Sequence, residues 1–160
     1  DINQASALIL LDLSAAFDTV DHGILLDRLA ACGLTGTALL WLFSFIRGRS
    51  QAIGMGVHRS PPTILKCGVP QGSALSPFLF NIYLQPLIVS LADMDCRVHN
   101  YADDNKLLIR LENSSASHAA AQSILRHINS WMHLNSLKLN PEKTELLVIN
   151  ASKSPWSDHV

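Results

Sequence analysis

The sequence has no excess of basic residues. Its 12 Lys and Arg are balanced by 13 Asp and Glu, which gives a formal net charge of -1. Proteins that bind nucleic acid through its phosphates normally present a basic surface. The overall charge therefore gives no support to a nucleic-acid partner. It does not exclude one, because an acidic metal site would offset basic residues in the sum.

Cysteine is also scarce, and the spacing of Cys32, Cys67 and Cys96 is not that of metal ligands. Three is an odd number, so we expect reduced thiols, which are typical of a reducing compartment. No signal peptide is visible. These observations favour an intracellular protein of the nucleus or cytoplasm over a secreted one.

Paired metal spacing is also lacking among the seven histidines. Structural zinc sites usually carry ligands in closely spaced pairs. The scattered pattern therefore disfavours zinc, and the residues concerned are His22, His58, His99, His118, His127, His133 and His159.

Charged residues are absent between Gly68 and Ala92. Residues 74–92 are long enough to suggest a transmembrane helix. However, Pro77 and Pro86 lie inside that segment, and the Gly-Val-Pro-Gln-Gly turn before it would not be stable against lipid. We therefore expect no membrane partner, and a buried core helix over 74–91, with Ser73 as its cap and a bend near Pro86.

The composition is that of a folded chain, with 48% apolar residues in 160. This length is enough for one domain with a sizeable core. The chain begins at Asp1 and opens directly into an apolar run, so we expect an internal part of a longer protein.

The periodicity of apolar residues predicts alternating strands and helices. Residues 5–13 form a continuous apolar run, which is typical of a strand buried on both faces. Ser14 is a candidate cap for the turn that follows. Helices are expected at 22–32, 38–47, 74–91 and from Ser114 or Ser115 to 136, and strands at 50–57, 63–67, 96–101, 106–111, 137–139 and 144–150.

Two of these helices carry a distinctive pattern. The 38–47 helix, capped by Thr35 or Thr37, is apolar nearly all round, so it should be buried or lie at a domain contact. The last helix is amphipathic, with an apolar face comprising Ala121, Ile124, Leu125, Ile128, Trp131 and Met132. The whole order favours an α+β fold, with a mixed or antiparallel sheet and helices on one face.

The segment Asn100-Tyr101-Ala102-Asp103-Asp104-Asn105 places two adjacent carboxylates between two apolar runs. Asp and Asn favour tight turns and tolerate left-handed backbone. A β-hairpin with Asp103 and Asp104 at its tip is therefore expected. Such a tip suits a hard divalent cation such as Mg²⁺, although a solvated turn would have the same sequence.

Asp12 closes the first strand, and an isolated buried carboxylate would be costly there. It is a helix cap or a ligand. If its strand lies beside the hairpin, Asp12, Asp103 and Asp104 converge and need a divalent cation to offset their repulsion. Two such ions, about 3.5–4 Å apart, are the arrangement that promotes phosphoryl transfer.

A turn at 68–72 precedes the core helix and is a candidate nucleotide contact. Small residues allow close approach of a ligand, and helix-end amides attract anions. A plain connection with glycines at strained dihedral angles is the alternative. Gln71 could contact a base or sugar, or face solvent.

Four motifs occur in one order along the chain. They are LLDLSAAFD at 10–18, GVPQGS at 68–73 with Ser76-Pro77, YADD at 101–104, and LKLNPEKTE at 137–145. This set resembles the palm motifs of reverse transcriptases, and is similar to those of non-LTR (LINE-type) retrotransposons. The resemblance covers about residues 5–150.

The resemblance implies a role for each matching residue. Asp12 would be the first metal-binding aspartate, and Asp103 and Asp104 the catalytic pair. The Leu13 carbonyl would help hold the nucleotide-bound metal. Two Mg²⁺ ions are implied, with Mn²⁺ as a substitute.

The nucleotide would meet a second group of residues. Phe17 would be the bulky gate beneath the sugar, although an ordinary core aromatic is the alternative. Gln71 and Gly72 would contact the nucleotide and template. Lys143 is a candidate general acid for the leaving pyrophosphate, although a solvated lysine is at least as good an interpretation.

The implied activity is RNA-directed DNA polymerisation, with an RNA template, a DNA primer and deoxynucleotides as partners. The fold implied is a polymerase palm with part of the fingers. Residues 1–160 would be a partial reverse transcriptase domain, with the start of the fingers, the thumb and the endonuclease outside it. The isolated segment is then expected to be inactive.

Two alternatives remain open. The chain could be an inactive retroelement remnant or a domesticated nucleic-acid-binding fragment. It could also come from another template-directed polymerase, such as an RNA-dependent RNA polymerase or a mobile-intron reverse transcriptase.

Overall fold

The structure, a computed structural model, describes residues 5–111 and 115–150. Its elements follow the chain as β1 (Ala5–Leu11), α1 (Ala16–Thr19), α2 (His22–Ala31), α3 (Gly36–Ile46), β2 (Ser50–Gln51), β3 (Gly54–Met55), β4 (His58–Arg59), β5 (Thr63–Ile64), α4 (Ser76–Leu91), β6 (Cys96–Tyr101), β7 (Asp104–Leu111), α5 (Ser115–Leu134) and β8 (Glu145–Asn150). The expected α+β class is confirmed.

The main sheet has four strands in the order β6-β7-β1-β8. Every neighbouring pair is antiparallel. Along β1, Ala7, Ile9 and Leu11 are buried, whereas Leu8 and Leu10 are only partly buried. The prediction that this strand is buried on both faces was wrong, because side chains alternate between faces and only one face of the sheet meets the helices.

The core helix α4 lies across the centre of the fold. Leu79, Phe80, Tyr83 and Leu84 on this helix are each at most 1% exposed, which confirms a buried core helix. Ser73 does not cap it, since its Oγ accepts a hydrogen bond from Leu75 N (3.1 Å) before the helix begins. No helix in the described residues is long and apolar enough to cross a membrane.

A polar cluster joins α2, α4 and the end of α5. The Arg28 guanidinium donates to Tyr83 O and to Asn135 Oδ1, and its Cζ lies 4.4 Å from the centroid of the Tyr83 ring. The Tyr83 hydroxyl donates to Asn135 O (2.8 Å). Burial lowers the pKa of Arg28 and raises the pKa of Tyr83. The three helices are therefore joined by hydrogen bonds as well as by apolar packing.

The helix starts differ from expectation in two places. Ser14 caps no helix, because α1 begins after Ala15, which adopts a φ of 49° without any side-chain cap. Asp21, which sequence analysis missed, caps α2 by accepting from Gly23 N (2.8 Å) and Ile24 N (2.9 Å). Thr35 precedes α3 but makes no capping hydrogen bond. The Ser114 alternative for α5, and any Ser115 cap, lie outside what the structure describes.

Two apolar helix faces are more exposed than expected. On α3, Leu42 and Ile46 are buried, but Leu40 is 69% and Trp41 55% exposed. This helix was expected to be buried or to lie at a domain contact, and complete burial is therefore wrong. On α5, Ile124, Ile128 and Met132 are buried, whereas Leu125 is 39% exposed, so its assignment to the buried face was wrong.

The short strands form an exposed nested hairpin. β2 pairs with β5, and β3 pairs with β4 inside them. The chain therefore reverses at Gly56-Val57, so the single strand expected over 50–57 is wrong. Of the two last predicted strands, 144–150 is confirmed as β8, whereas 137–139 is reduced to a single bridge between Leu13 and Leu139.

The turn at 68–72 is attached directly to the end of α1. Gly68 N donates to Val20 O (2.8 Å), and Val69 N donates to Phe17 O (2.7 Å). Gly68 has a φ of +86°, and a Cβ there would lie only 2.9 Å from Asp18 O. This position therefore requires glycine both for its dihedral angle and for the close approach of two backbones.

We expect Gly68→Ala to destabilise the protein more than Gly72→Ala. Both glycines have a positive φ, so each alanine should cost about 1–2 kcal/mol of left-handed strain. Only at Gly68 does the new methyl meet backbone atoms, since nothing lies within 4 Å at Gly72. Overpacking of this kind should add about 1–3 kcal/mol. Denaturant unfolding measures both variants, and equal losses would contradict the close approach.

Candidate active site

The chain reverses between β6 and β7 through a two-residue turn. Tyr101 pairs with Asp104, so Ala102 and Asp103 form the tip. The expected hairpin is confirmed, with Asp104 as the first residue of β7. The positive φ falls on Ala102 (53°), not on an Asp or Asn as the turn preferences suggested. Ala102 is also buried, so this residue of the tip lies against the rest of the domain, whereas Asp103 is exposed.

Three asparagines hold the backbone of this tip. Asn81 Oδ1 on α4 accepts from Ala102 N (2.9 Å). Asn100 Nδ2 donates to Ala102 O (3.1 Å), and Asn105 Nδ2 donates to Asp103 O (3.0 Å). Because the hydrogen bonds come from the core helix and from both strands, the tip has little freedom to move.

The role of Asn81 as a supporting residue was not predicted from the sequence. The signal was present, since Asn81 is one of the few polar residues in the uncharged segment that forms α4. A polar side chain on a buried helix needs a hydrogen-bond partner. Which partner it finds could not be read from the sequence.

Asp12 and Asp104 come together across neighbouring strands. Leu11 pairs with Asn105, so continuing the register by one residue places Asp12 opposite Asp104, on the same face of the sheet. Both line one pocket of about 190 Å³, together with Lys106, Lys143 and Glu145. The expectation that Asp12 approaches the hairpin therefore agrees with the observed sheet.

Asp103 is placed differently. It is exposed on the turn and does not line the pocket that Asp12 and Asp104 share. Within residues 5–111 and 115–150, no three His, Cys, Asp or Glu side chains are close enough together to hold a metal ion. The structure thus joins two of the three predicted aspartates in one pocket and leaves the third beside it.

The segment around Leu13 is attached to the last predicted motif. Asn140 N donates to Asp12 O (2.9 Å), and Ser14 N donates to Lys138 O (2.8 Å). These bonds lie on either side of Leu13 and do not use its own carbonyl oxygen. The attachment also brings the turn that carries Lys143 to the Asp12 pocket.

Phe17, Gln71 and Gly72 line a separate pocket of about 420 Å³. The Phe17 ring packs against Phe80, with centroids 5.2 Å apart. One side of Phe17 therefore packs in the core and the other lines the pocket. Its position agrees in part with a core aromatic and in part with a residue that meets a ligand. Gln71 and Gly72 follow the anchored Gly68-Val69 segment, which positions them beside Phe17.

The pocket that Asp12 and Asp104 share contains ligand atoms of the type that a hard divalent cation prefers. Asp12 and Asp104 offer carboxylate oxygens, which Mg²⁺ prefers. Lys106 and Lys143 line the same pocket and can offset part of the negative charge or contact an anionic group. The pocket therefore places carboxylate oxygens, which hard cations favour, next to ammonium groups, which can pair with an anion.

Known proteins with similar sequences come from mobile elements. The chain is 31% identical over 150 residues to a "Retrovirus-related Pol polyprotein from type-1 retrotransposable element R2" of Popillia japonica, over 85% of this chain and 23% of that protein. It is 27% identical over 138 residues to the "RNA-directed DNA polymerase from mobile element jockey" of Drosophila melanogaster, over 83% of this chain and 15% of that protein. The chain thus spans less than a quarter of either relative.

Solved structures share the fold at lower identity. A telomerase from Candida tropicalis, solved in complex with a fragment of telomeric RNA, aligns with a TM-score of 0.67 at 15% identity, over 90% of this chain and 26% of that one. A telomerase from Candida albicans aligns with the same TM-score at 14% identity, over 94% and 28%. These likenesses support the palm-like fold.

The family model described as "Reverse transcriptase (RNA-dependent DNA polymerase)" matches residues 1–158. The resemblance found in the four sequence motifs is thereby confirmed, and the relatives are proteins of non-LTR retrotransposons. The match covers nearly the whole chain, which therefore belongs to the reverse transcriptase family.

Proposed function

We propose that this chain is the palm, with part of the fingers, of an RNA-directed DNA polymerase encoded by a non-LTR retrotransposon. The observation that carries the proposal is the pocket that Asp12 and Asp104 share at the end of the pairing of β1 with β7. Family membership and the mobile-element relatives support it. The domain would use an RNA template, a DNA primer and deoxynucleotides, in the nucleus or cytoplasm.

Asp12, Asp104 and the neighbouring Asp103 would hold two Mg²⁺ or Mn²⁺ ions, with the Leu13 carbonyl oxygen as a further ligand. Bound there, the ions would activate the primer 3′-hydroxyl and neutralise charge on the phosphates. Two features support fixed positions for these ligands: Asp12 directly follows β1, and Asn81 accepts a hydrogen bond from the hairpin tip. Fixed ligands of this kind lower the reorganisation needed during reaction.

The second pocket would take the sugar and base of the incoming nucleotide. Phe17 lines it and is supported from behind by Phe80, so its ring resists displacement. A ribose 2′-hydroxyl would collide with this ring, which would favour deoxynucleotides. Gln71 and Gly72 would contact the nucleotide from the turn.

Lys143 would act on the leaving group. It lines the same pocket as Asp12 and Asp104, where phosphates would lie. An ammonium group there can neutralise the pyrophosphate and can transfer a proton to its leaving oxygen. The role of general acid therefore fits the position of this residue.

Asp103→Asn in the intact parent polymerase should lower primer extension by about a thousandfold or more, because an amide is a poor ligand for a hard cation. The fold should persist, since Asp103 is exposed on the turn. Asp93, which is also exposed and lies just before β6, provides the matched control, and Asp93→Asn should extend primers normally. Extension kinetics and thermal unfolding measure the two effects. Normal extension by Asp103→Asn would overturn the assignment of this residue.

The 160-residue chain alone should show little or no processive DNA synthesis. It spans at most 23% of the two relatives compared above, and its net charge of -1 gives weak attraction for a primer–template duplex. Primer extension with deoxynucleotides and Mg²⁺, assayed beside the parent polymerase, tests this expectation. Long products from the chain alone would contradict it.

A further inference from the structure

Gln71 makes its side-chain hydrogen bonds to Asp18, the last residue of the 10–18 motif, to which the resemblance had given no role. Its Nε2 donates to both carboxylate oxygens of Asp18, each at 3.0 Å. An ionised carboxylate only accepts hydrogen bonds, so the nitrogen of the amide must face Asp18. The pair therefore determines which end of the Gln71 amide remains for a ligand.

The backbones that carry the two side chains are also joined. Val69 N donates to Phe17 O (2.7 Å), and Gly68 N donates to Val20 O (2.8 Å). On the other side, Gly68 O accepts from His22 Nε2 (2.8 Å) and from Arg49 Nη2. Asp18 and Gln71 thus project from two segments whose separation is set by several hydrogen bonds.

Gln71 lies between two pockets. It lines the pocket of about 420 Å³ that Phe17 also lines, and a larger one of about 670 Å³ lined by Asp18, Arg49 and Lys66. The two oxygens of one carboxylate subtend a small angle at Nε2, so a single N–H is shared between them, and Oε1 lies on the side of the amide away from that bond, beside the second N–H. In the described part of the chain, no side-chain hydrogen bond uses Oε1.

We propose that Asp18 is a positioning residue, which holds Gln71 so that its amide offers a hydrogen-bond acceptor to the incoming nucleotide. This inference rests on the proposed function. The nucleotide group that Oε1 contacts is then a donor, a hydroxyl or an amino group, and not a phosphate oxygen, which only accepts.

The pair should affect orientation more than stability. Asp18 and Gln71 are both exposed, and an exposed hydrogen bond contributes little to folding because water replaces it. With Asn at position 18, two amides face each other, and each can donate or accept. Gln71 then has no single preferred orientation, and a contact that depends on Oε1 weakens without any loss of fold.

The test is a double-mutant cycle in the intact parent polymerase, with Asp18→Asn, Gln71→Ala and the double variant. Asp18→Asn should raise the KM for deoxynucleotide about 3–10-fold, with kcat within about twofold, since it removes binding and not chemistry. In the Gln71→Ala background, the Asp18→Asn substitution should change the KM by less than about twofold. Asp27→Asn, an exposed aspartate on α2, removes the same charge and should leave KM unchanged.

The outcomes separate the two proposals. A parent polymerase that synthesises no DNA would overturn the proposed function, and this inference with it. If Gln71→Ala raises KM but Asp18→Asn does not, only the positioning role of Asp18 is overturned. The same holds if the KM increases of the two single variants multiply in the double variant. If Asp27→Asn raises the KM for deoxynucleotide as much as Asp18→Asn does, the increase is a general effect of charge, and the positioning role of Asp18 is overturned as well. Matching thermal unfolding of the Asp18 and Asp27 variants confirms that both are folded.

Discussion

The antiparallel pairing of β1 is the interaction on which the candidate active site depends. β1 lies between β7 and β8 and is in register with both. That register places Asp12 opposite Asp104 and brings Glu145, the first residue of β8, to the same pocket. A slip of one residue would move every side chain of β1 to the opposite face. Alternate burial of Ala7, Ile9 and Leu11 against the helices opposes such a slip.

The second constraint is the attachment of the 68–72 turn to the end of α1. Gly68 allows two backbones to approach more closely than any Cβ would permit, and this approach brings Gln71 next to Asp18 and Phe17. Residues about 50 positions apart in the chain thus share one pocket wall. The two pockets of the candidate site are therefore each built from a long-range backbone pairing, with side chains added to it.

Large apolar side chains remain exposed away from these pockets. Leu40, Trp41 and Phe43 are exposed on α3, and Leu146 to Ile149 are exposed along β8, which is an edge of the sheet. Contiguous apolar patches commonly mark contact surfaces. The apolar pattern of α3 was interpreted from the sequence as burial or a domain contact, and the second interpretation is the one that agrees with its exposure.

Local sequence signals by themselves determined the main elements of this protein. Helical periodicity predicted α2, two apolar runs on either side of the Asp-Asp turn predicted the hairpin, and four motifs in order indicated the family. Tertiary structure decided what depends on contacts between distant residues. Examples are the positive φ of Ala102 beneath Asn81, the exposure of Leu125, and the Asp18–Gln71 hydrogen bonds. The reason is physical: periodicity and turn preference act over a few residues, whereas register, burial and hydrogen-bond partners are set only when the sheet and helices pack together.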